Sequence, residues 1–167
     1  AEKEYDAYRA AMGPDDHTLP PVVEDLKREA RAKGLWNLFL PAVSGLTNVE
    51  YAQLAEISGW SVDIFPEAIN CQAPDSGNME TIHLFGTDEQ KKRWVPPIAD
   101  GSITMAFAIT EPDAGSNSHR ITTTARRDGS DWILSGQKVW ISGLDQAQAV
   151  LVVARTEEAK TGSLRPA

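Results

Sequence analysis

Cysteine is almost missing from this 167-residue chain, where Cys71 stands alone. One thiol closes no internal disulfide and builds no cysteine-rich metal site, so an apolar core must hold the fold, as suits a reducing compartment. Long apolar runs are missing too. No stretch approaches the roughly 20 residues a helix needs to cross a bilayer, and the opening Ala1-Glu2-Lys3-Glu4-Tyr5 lacks the basic and apolar regions of a secretory signal. A soluble intracellular protein is the expectation. Positive charge is in deficit: 16 Lys and Arg face 24 Asp and Glu, a net charge of −8. That field repels a phosphate backbone unless a local basic patch overcomes it, so nucleic acid is not an expected partner. His17, His83 and His119 show no metal-ligand spacing, and no metal site is expected.

What is present is ordinary globular composition, 41% hydrophobic and 24% charged, sufficient for a real core. The first hundred residues read as helices. Val22, Val23, Leu26 and Ala30 keep helical spacing between Pro20-Pro21 and Gly34, the latter in place for a left-handed cap. "KREARAK" then reads as a solvated face. Thr47-Asn-Val-Glu50 and Thr87-Asp-Glu-Gln90 are capping boxes, and Pro96-Pro97 is expected to stop the second of these helices. Met79 to Phe85 reads as a further helical piece. After Gly101 the period falls to two: Ile103, Met105, Phe107 and Ile109 alternate with Thr104, Ala106, Ala108 and Thr110. Further strands are expected in "ITTTARR", "WILSG", "KVWIS" and "AVLVVAR", with turns at Asp128-Gly129-Ser130 and Ser135-Gly136. The fold class is α+β, an all-α domain over 1–101 followed by the start of an antiparallel β-domain over 102–167.

The stretch "FAITEPDAGSN", residues 107–117, runs from this strand into a loop of small polar residues. The face of Ala106, Ala108 and Thr110 leaves room for a flat ring, and consecutive amides at 114–117, with Gly115 free to take positive φ, suit a phosphate. In "GQKVWISG", residues 136–143, a strand would hold the Trp140 indole against such a ring and offer the Ser142 hydroxyl at its edge.

"MAFAITEPDAGSN" followed by "GQKVWISG" resembles the acyl-CoA dehydrogenase family, and "GLWNLFLP", "APDSGNME" and "LFGTDEQKKRWVPPIADG" extend the resemblance from Gly34 to Arg155. The resemblance implies an FAD-dependent α,β-dehydrogenation of an acyl-CoA thioester to the trans-2-enoyl-CoA. It places Phe107, Ile109 and Thr110 around the isoalloxazine and Gly115 and Ser116 at the pyrophosphate, with Ser116 also near the acyl-CoA. Trp140 and Ile141 would pack beside the flavin, with Ser142 near its N5. Ile69 to Met79 resembles the segment that lines the acyl pocket. The family's glutamate base has no counterpart here, so no catalytic residue is assigned. The chain is expected to be the front portion of a longer enzyme, inactive alone and without the C-terminal helical bundle.

The same resemblance implies a homodimer or homotetramer, electron-transfer flavoprotein as acceptor, and a bacterial cytoplasm, mitochondrial matrix or peroxisome. An acyl-CoA oxidase, a nitroalkane-oxidase-like flavoenzyme, or an interaction module without flavin are the alternatives. The intact set Thr110, Gly115, Ser116, Trp140 and Ser142 argues against the last. "LDQAQA" after Gly143, and His119-Arg120, depart from the family pattern. Glu111, beside Pro112 at a strand end, reads as a structural carboxylate.

Overall fold

Side-chain hydroxyls set two of the helix starts in the computed structural model, which describes residues 1–14, 16–157 and 164–166. The helices are α1 Glu2–Ala11, α2 Pro21–Ala32, α3 Pro41–Ser44, α4 Asn48–Ser58, α5 Phe65–Ala68, α6 Asp75–Phe85 and α7 Asp88–Ala99. Thr47 accepts from the Glu50 amide while the Glu50 carboxylate accepts from the Thr47 amide at 2.8 Å. Thr87 and Gln90 do the same at the start of α7. Each cap contributes about 1 kcal/mol, which a chain of short helices needs.

All seven described α-helices lie in the first of two units, Ala1–Ile103; the second is Thr104–Ala167. In the first unit α2 buries Val22, Val23 and Ala30; Gly34, φ 70°, follows its Lys33 cap, and the Leu35 amide returns to the Ala30 carbonyl at 2.8 Å. Val23, Met79 and Ile98 are fully buried. "KREARAK" is not simply solvated. Lys27 Nζ lies 2.6 Å from Glu67 on α5 and 3.1 Å from Glu24. Burial alone would lower the Lys27 pKa, but Glu67 and then Glu24 outweigh it and raise it. Arg31 lies over the Trp36 ring at 4.0 Å.

Pro96-Pro97 does not stop α7, which runs on to Ala99. A proline removes only its own N–H, and the carbonyls that lose a donor here belong to Lys92 and Arg93, exposed residues within reach of water. The proline carbonyls remain in use: Asp100 donates to Pro96 at 2.9 Å and Ser102 to Pro97 at 3.0 Å.

The second unit contains β1 Met105–Ala108, β2 Thr124–Asp128, β3 Asp131–Ser135, β4 Ala149–Val152, β5 Arg155–Glu157 and β6 Leu164–Pro166. β2 and β3 form an antiparallel hairpin across Gly129, φ 62°, and β5 and β6 pair antiparallel. The other two pairings, β1 with β4 and β2 with β5, are parallel. Parallel strands need a long crossover, and the chain between β1 and β4 supplies one. β1 is half the length its alternation suggests. Past Ala108 the carbonyls of Ile109 and Thr110 turn to Lys138 Nζ and the Val139 amide instead of a ladder. "KVWIS" is accordingly no strand; its Trp140 takes φ 59°, which a ladder does not accept.

Candidate functional site

Alternation along β1 puts Phe107 on one face and Ala106 and Ala108 on the other. The small face is closed: Ala106 and Ala108 are 2% and 4% exposed, against 36% for Phe107. A flat ring therefore has no room on the alanine side, contrary to the expectation from residue size. Short side chains let neighbouring chain approach closely, and close packing fills the space they leave. On the other face Met105 is buried and only Phe107 is open, with half-buried Ile109 and Thr110 following it.

Beyond Thr110 the chain makes a tight turn over Pro112-Asp113, with Glu111 and Ala114 exchanging backbone bonds at 3.0 and 3.1 Å. Proline holds the φ that the first turn position requires. Gly115, Ser116 and Asn117 follow, all exposed, and among the described residues none of their amides meets an intramolecular acceptor. Gly115 does not take positive φ, contrary to expectation, and a Cβ there would meet nothing within 4 Å. Its lack of a side chain answers no steric demand among the described residues.

Glu111 is buried, 5% exposed. Its Oε2 accepts from the amide and hydroxyl of Thr122 at 2.6 and 2.8 Å, and its Oε1 accepts from the Thr123 amide and Lys138 Nζ, both at 2.9 Å. Burial would raise its pKa, but the Thr122 and Thr123 bonds and the Lys138 ammonium outweigh this and hold it well below the usual carboxylate range. Glu111 is thus a structural carboxylate, as its place in the sequence suggests. Lys138, Thr122 and Thr123 were not legible as its partners. The available signal was a lone lysine in the otherwise uncharged "GQKVWISG".

The second stretch reaches the first through two consecutive residues: Lys138 Nζ donates to the Ile109 carbonyl and to Glu111, and the Val139 amide donates to the Thr110 carbonyl at 3.0 Å. Trp140 comes next, left-handed and 90% exposed. Ile141 is half-buried and Ser142 exposed before Gly143, φ 67°. The structure therefore brings Ile109 and Thr110 to the segment that leads into Trp140, while Phe107 is in register with Leu151 of β4. No hydrogen bond joins Gly115 or Ser116 to that segment among the described residues. The His119 carbonyl accepts from the Arg155 guanidinium. Of the "INCQAPDSGNM" segment, Ile69, Asn70, Asp75, Asn78 and Met79 are buried, leaving Gln72 and Ser76 among its partly open positions.

Residues 1–102 match the acyl-CoA dehydrogenase N-terminal domain and residues 106–165 the acyl-CoA dehydrogenase middle domain. The chain belongs to the acyl-CoA dehydrogenase family. It is 54% identical over 159 residues to the probable acyl-CoA dehydrogenase FadE2 of Mycobacterium tuberculosis, covering 93% of this chain and 39% of that protein. To the acyl-CoA dehydrogenase FadE12 of the same organism it is 81% identical over 90 residues, 54% of this chain and 23% of that one. Its fold matches a glutaryl-CoA dehydrogenase from Mycobacterium smegmatis, solved in complex with FADH2, with a TM-score of 0.67 and 32% identity over 85% of this chain and 36% of that one. This acyl-CoA dehydrogenase chain thus spans well under half the length of these relatives. None of its described helices is long and apolar enough to cross a membrane.

Proposed function

We propose that this chain is the N-terminal portion of an FAD-dependent acyl-CoA dehydrogenase that converts an acyl-CoA thioester to its trans-2-enoyl-CoA. The observation that carries the reading is the Thr110–Val139 backbone bond. It sets an exposed, left-handed Trp140 beside the strand end that presents Phe107. When bound, FAD supplies the redox chemistry of the α,β-oxidation.

The residues present fit that group. Trp140 and Phe107 offer aromatic surface to a planar ring, with Ile109 and Ile141 as apolar flanks and the polar groups of Thr110 and Ser142 at its edge. Among the described residues the amides at 115–117 have no internal partner and a Cβ on Gly115 meets nothing within 4 Å, so a pyrophosphate can approach the backbone closely. The Ser116 hydroxyl is exposed in the same loop and contributes to FAD and acyl-CoA binding. The chain's part is positioning rather than proton transfer. Glu111 is not the base: its oxygens are taken, and a carboxylate held so far below its usual range is a poor proton acceptor near neutral pH.

A glutamate outside these residues is the proposed base, electron-transfer flavoprotein the acceptor, and a homodimer or homotetramer the working form. Soluble expression in a bacterial cytoplasm, a mitochondrial matrix or a peroxisome accords with this role. The test is the visible spectrum of the purified full-length protein, followed by acyl-CoA titration under nitrogen. A flavin spectrum that bleaches with acyl-CoA and yields enoyl-CoA is the expected result. A colourless protein that FAD does not reconstitute refutes it, and rapid peroxide formation in air redirects it to an oxidase.

A further inference from the structure

Lys138 is a largely covered cation with two acceptors in the first stretch. Its side chain is 11% exposed, and its ammonium donates to the Ile109 carbonyl and to Glu111 Oε1, each at 2.9 Å. Glu111 is itself fixed by three bonds from Thr122 and Thr123. The lysine is thus locked onto the end of β1 from two directions. One residue later the Val139 amide binds the Thr110 carbonyl, and Trp140 then takes φ 59°. A bulky non-glycine residue enters the left-handed region only where its surroundings over-determine it. The two anchors just before Trp140 do this from one side, and the turn at Gly143 follows on the other. Buried ion pairs contribute little net stability, because desolvation offsets their attraction, so the pair's remaining value is a fixed geometry.

We propose that the Glu111–Lys138 pair is a positioning device that holds the Trp140 segment in its exposed, left-handed conformation, so that the indole is already in place when the cofactor binds. This rests on the FAD reading above. Both residues would act through Val139 and Trp140 rather than by contact with the flavin. With opposite charges matched, the pair adds no net charge to the site, and what it supplies is preorganisation.

The experiment uses the full-length protein and three variants: Lys138→Met, Lys138→Gln and the double variant Glu111→Gln/Lys138→Met. Three quantities are read: FAD affinity by fluorescence titration, the visible circular dichroism of bound flavin, and amide hydrogen exchange of residues 137–143 in the apo-protein. Both single variants are expected to bind FAD at least tenfold more weakly, to change the flavin dichroism, and to exchange at least tenfold faster at 137–143 while exchange in α2 and α7 is unchanged. The double variant, balanced in charge but without the ammonium, is expected to stay impaired. Lys138→Gln keeps a polar head and carries the test if Lys138→Met fails to fold. Parental affinity and dichroism in a folded Lys138 variant overturn the proposal, as does full recovery in the double variant, which would assign the effect to charge balance. A parent that cannot bind FAD refutes the functional reading itself, an outcome separate from a parent that binds FAD and a variant that binds it equally well.

Discussion

The Asn70 side-chain amide donates to Oδ1 of Asn37 at 2.7 Å, and both residues are buried with left-handed φ, 54° and 57°. The Asn37 amide group donates to the Ala99 carbonyl at 2.7 Å, and that of Asn70 reaches Ile98 at 3.1 Å. Two short polar side chains thereby fasten the segments after α2 and α5 to the end of α7. Asparagine tolerates this backbone better than most residues, and alanine does not. Asn70→Ala strands the Asn37 oxygen and strains the backbone, at an expected cost of about 2–4 kcal/mol. Urea unfolding checks this: the midpoint should fall without a change in slope.

Two glycines of the second unit should behave oppositely. A Cβ on Gly136 would lie 2.3 Å from Thr123 Oγ1 and 2.6 Å from its Cα, which is backbone and cannot swing away. Gly136→Ala should cost about 1–3 kcal/mol and weaken FAD binding by displacing the segment that follows. Gly115→Ala meets nothing within 4 Å and needs no unusual φ. It should unfold within about 1 kcal/mol of the parent yet bind FAD less tightly. Thermal unfolding and FAD titration on both variants separate the two roles.

Ser116→Ala removes one hydroxyl from an exposed loop. If that hydroxyl holds a pyrophosphate oxygen, the lost charged hydrogen bond is worth about 1.5–3 kcal/mol, or roughly 10- to 150-fold in affinity. Circular dichroism should be unchanged. Parental FAD affinity in a folded variant would remove 114–117 from the phosphate site.

Acid should act through Glu111. Its folded pKa is depressed from the ordinary 4.5, so its contribution to stability is complete above that value and is lost progressively as pH falls below it toward the folded pKa. The stability of the parent should therefore decline below about pH 4.5 with a steeper slope than that of Glu111→Gln, which has no such proton to take up. Parallel slopes in urea unfolding at several pH values between 2.5 and 6 would contradict this.

Local rules were legible in the sequence where one hydrogen bond decides the outcome. The Thr47 and Thr87 boxes, the left-handed Gly34 and the Gly129 turn all stand as their residues suggest. The pattern failed where a distant partner decides. Nothing local tells "KVWIS" that Lys138 is committed to Glu111, and its β-branched and aromatic residues mimic a strand. Pro96-Pro97 marks a stop by propensity, yet lies in a last turn, and the carbonyls it leaves without a donor belong to exposed Lys92 and Arg93. The alanines of β1 looked like an opening because size is visible in a sequence and the neighbour that covers them is not. Parallel pairing, too, depends on a strand some forty residues away.

That pairing bears on how the chain is made. Thr104 and Gln148, 44 positions apart, exchange hydrogen bonds in both directions beside β1 and β4, at 2.8 and 3.1 Å. At synthesis rates of about 5–20 residues per second, β1 leaves the ribosome roughly 2–9 s before its partner strand exists. The β2–β3 hairpin, closed by a two-residue turn, has no such wait. For those seconds the nascent chain carries Met105–Ala108 as an unpaired apolar edge, the interval in which a chaperone, or another chain on the same polysome, meets it first.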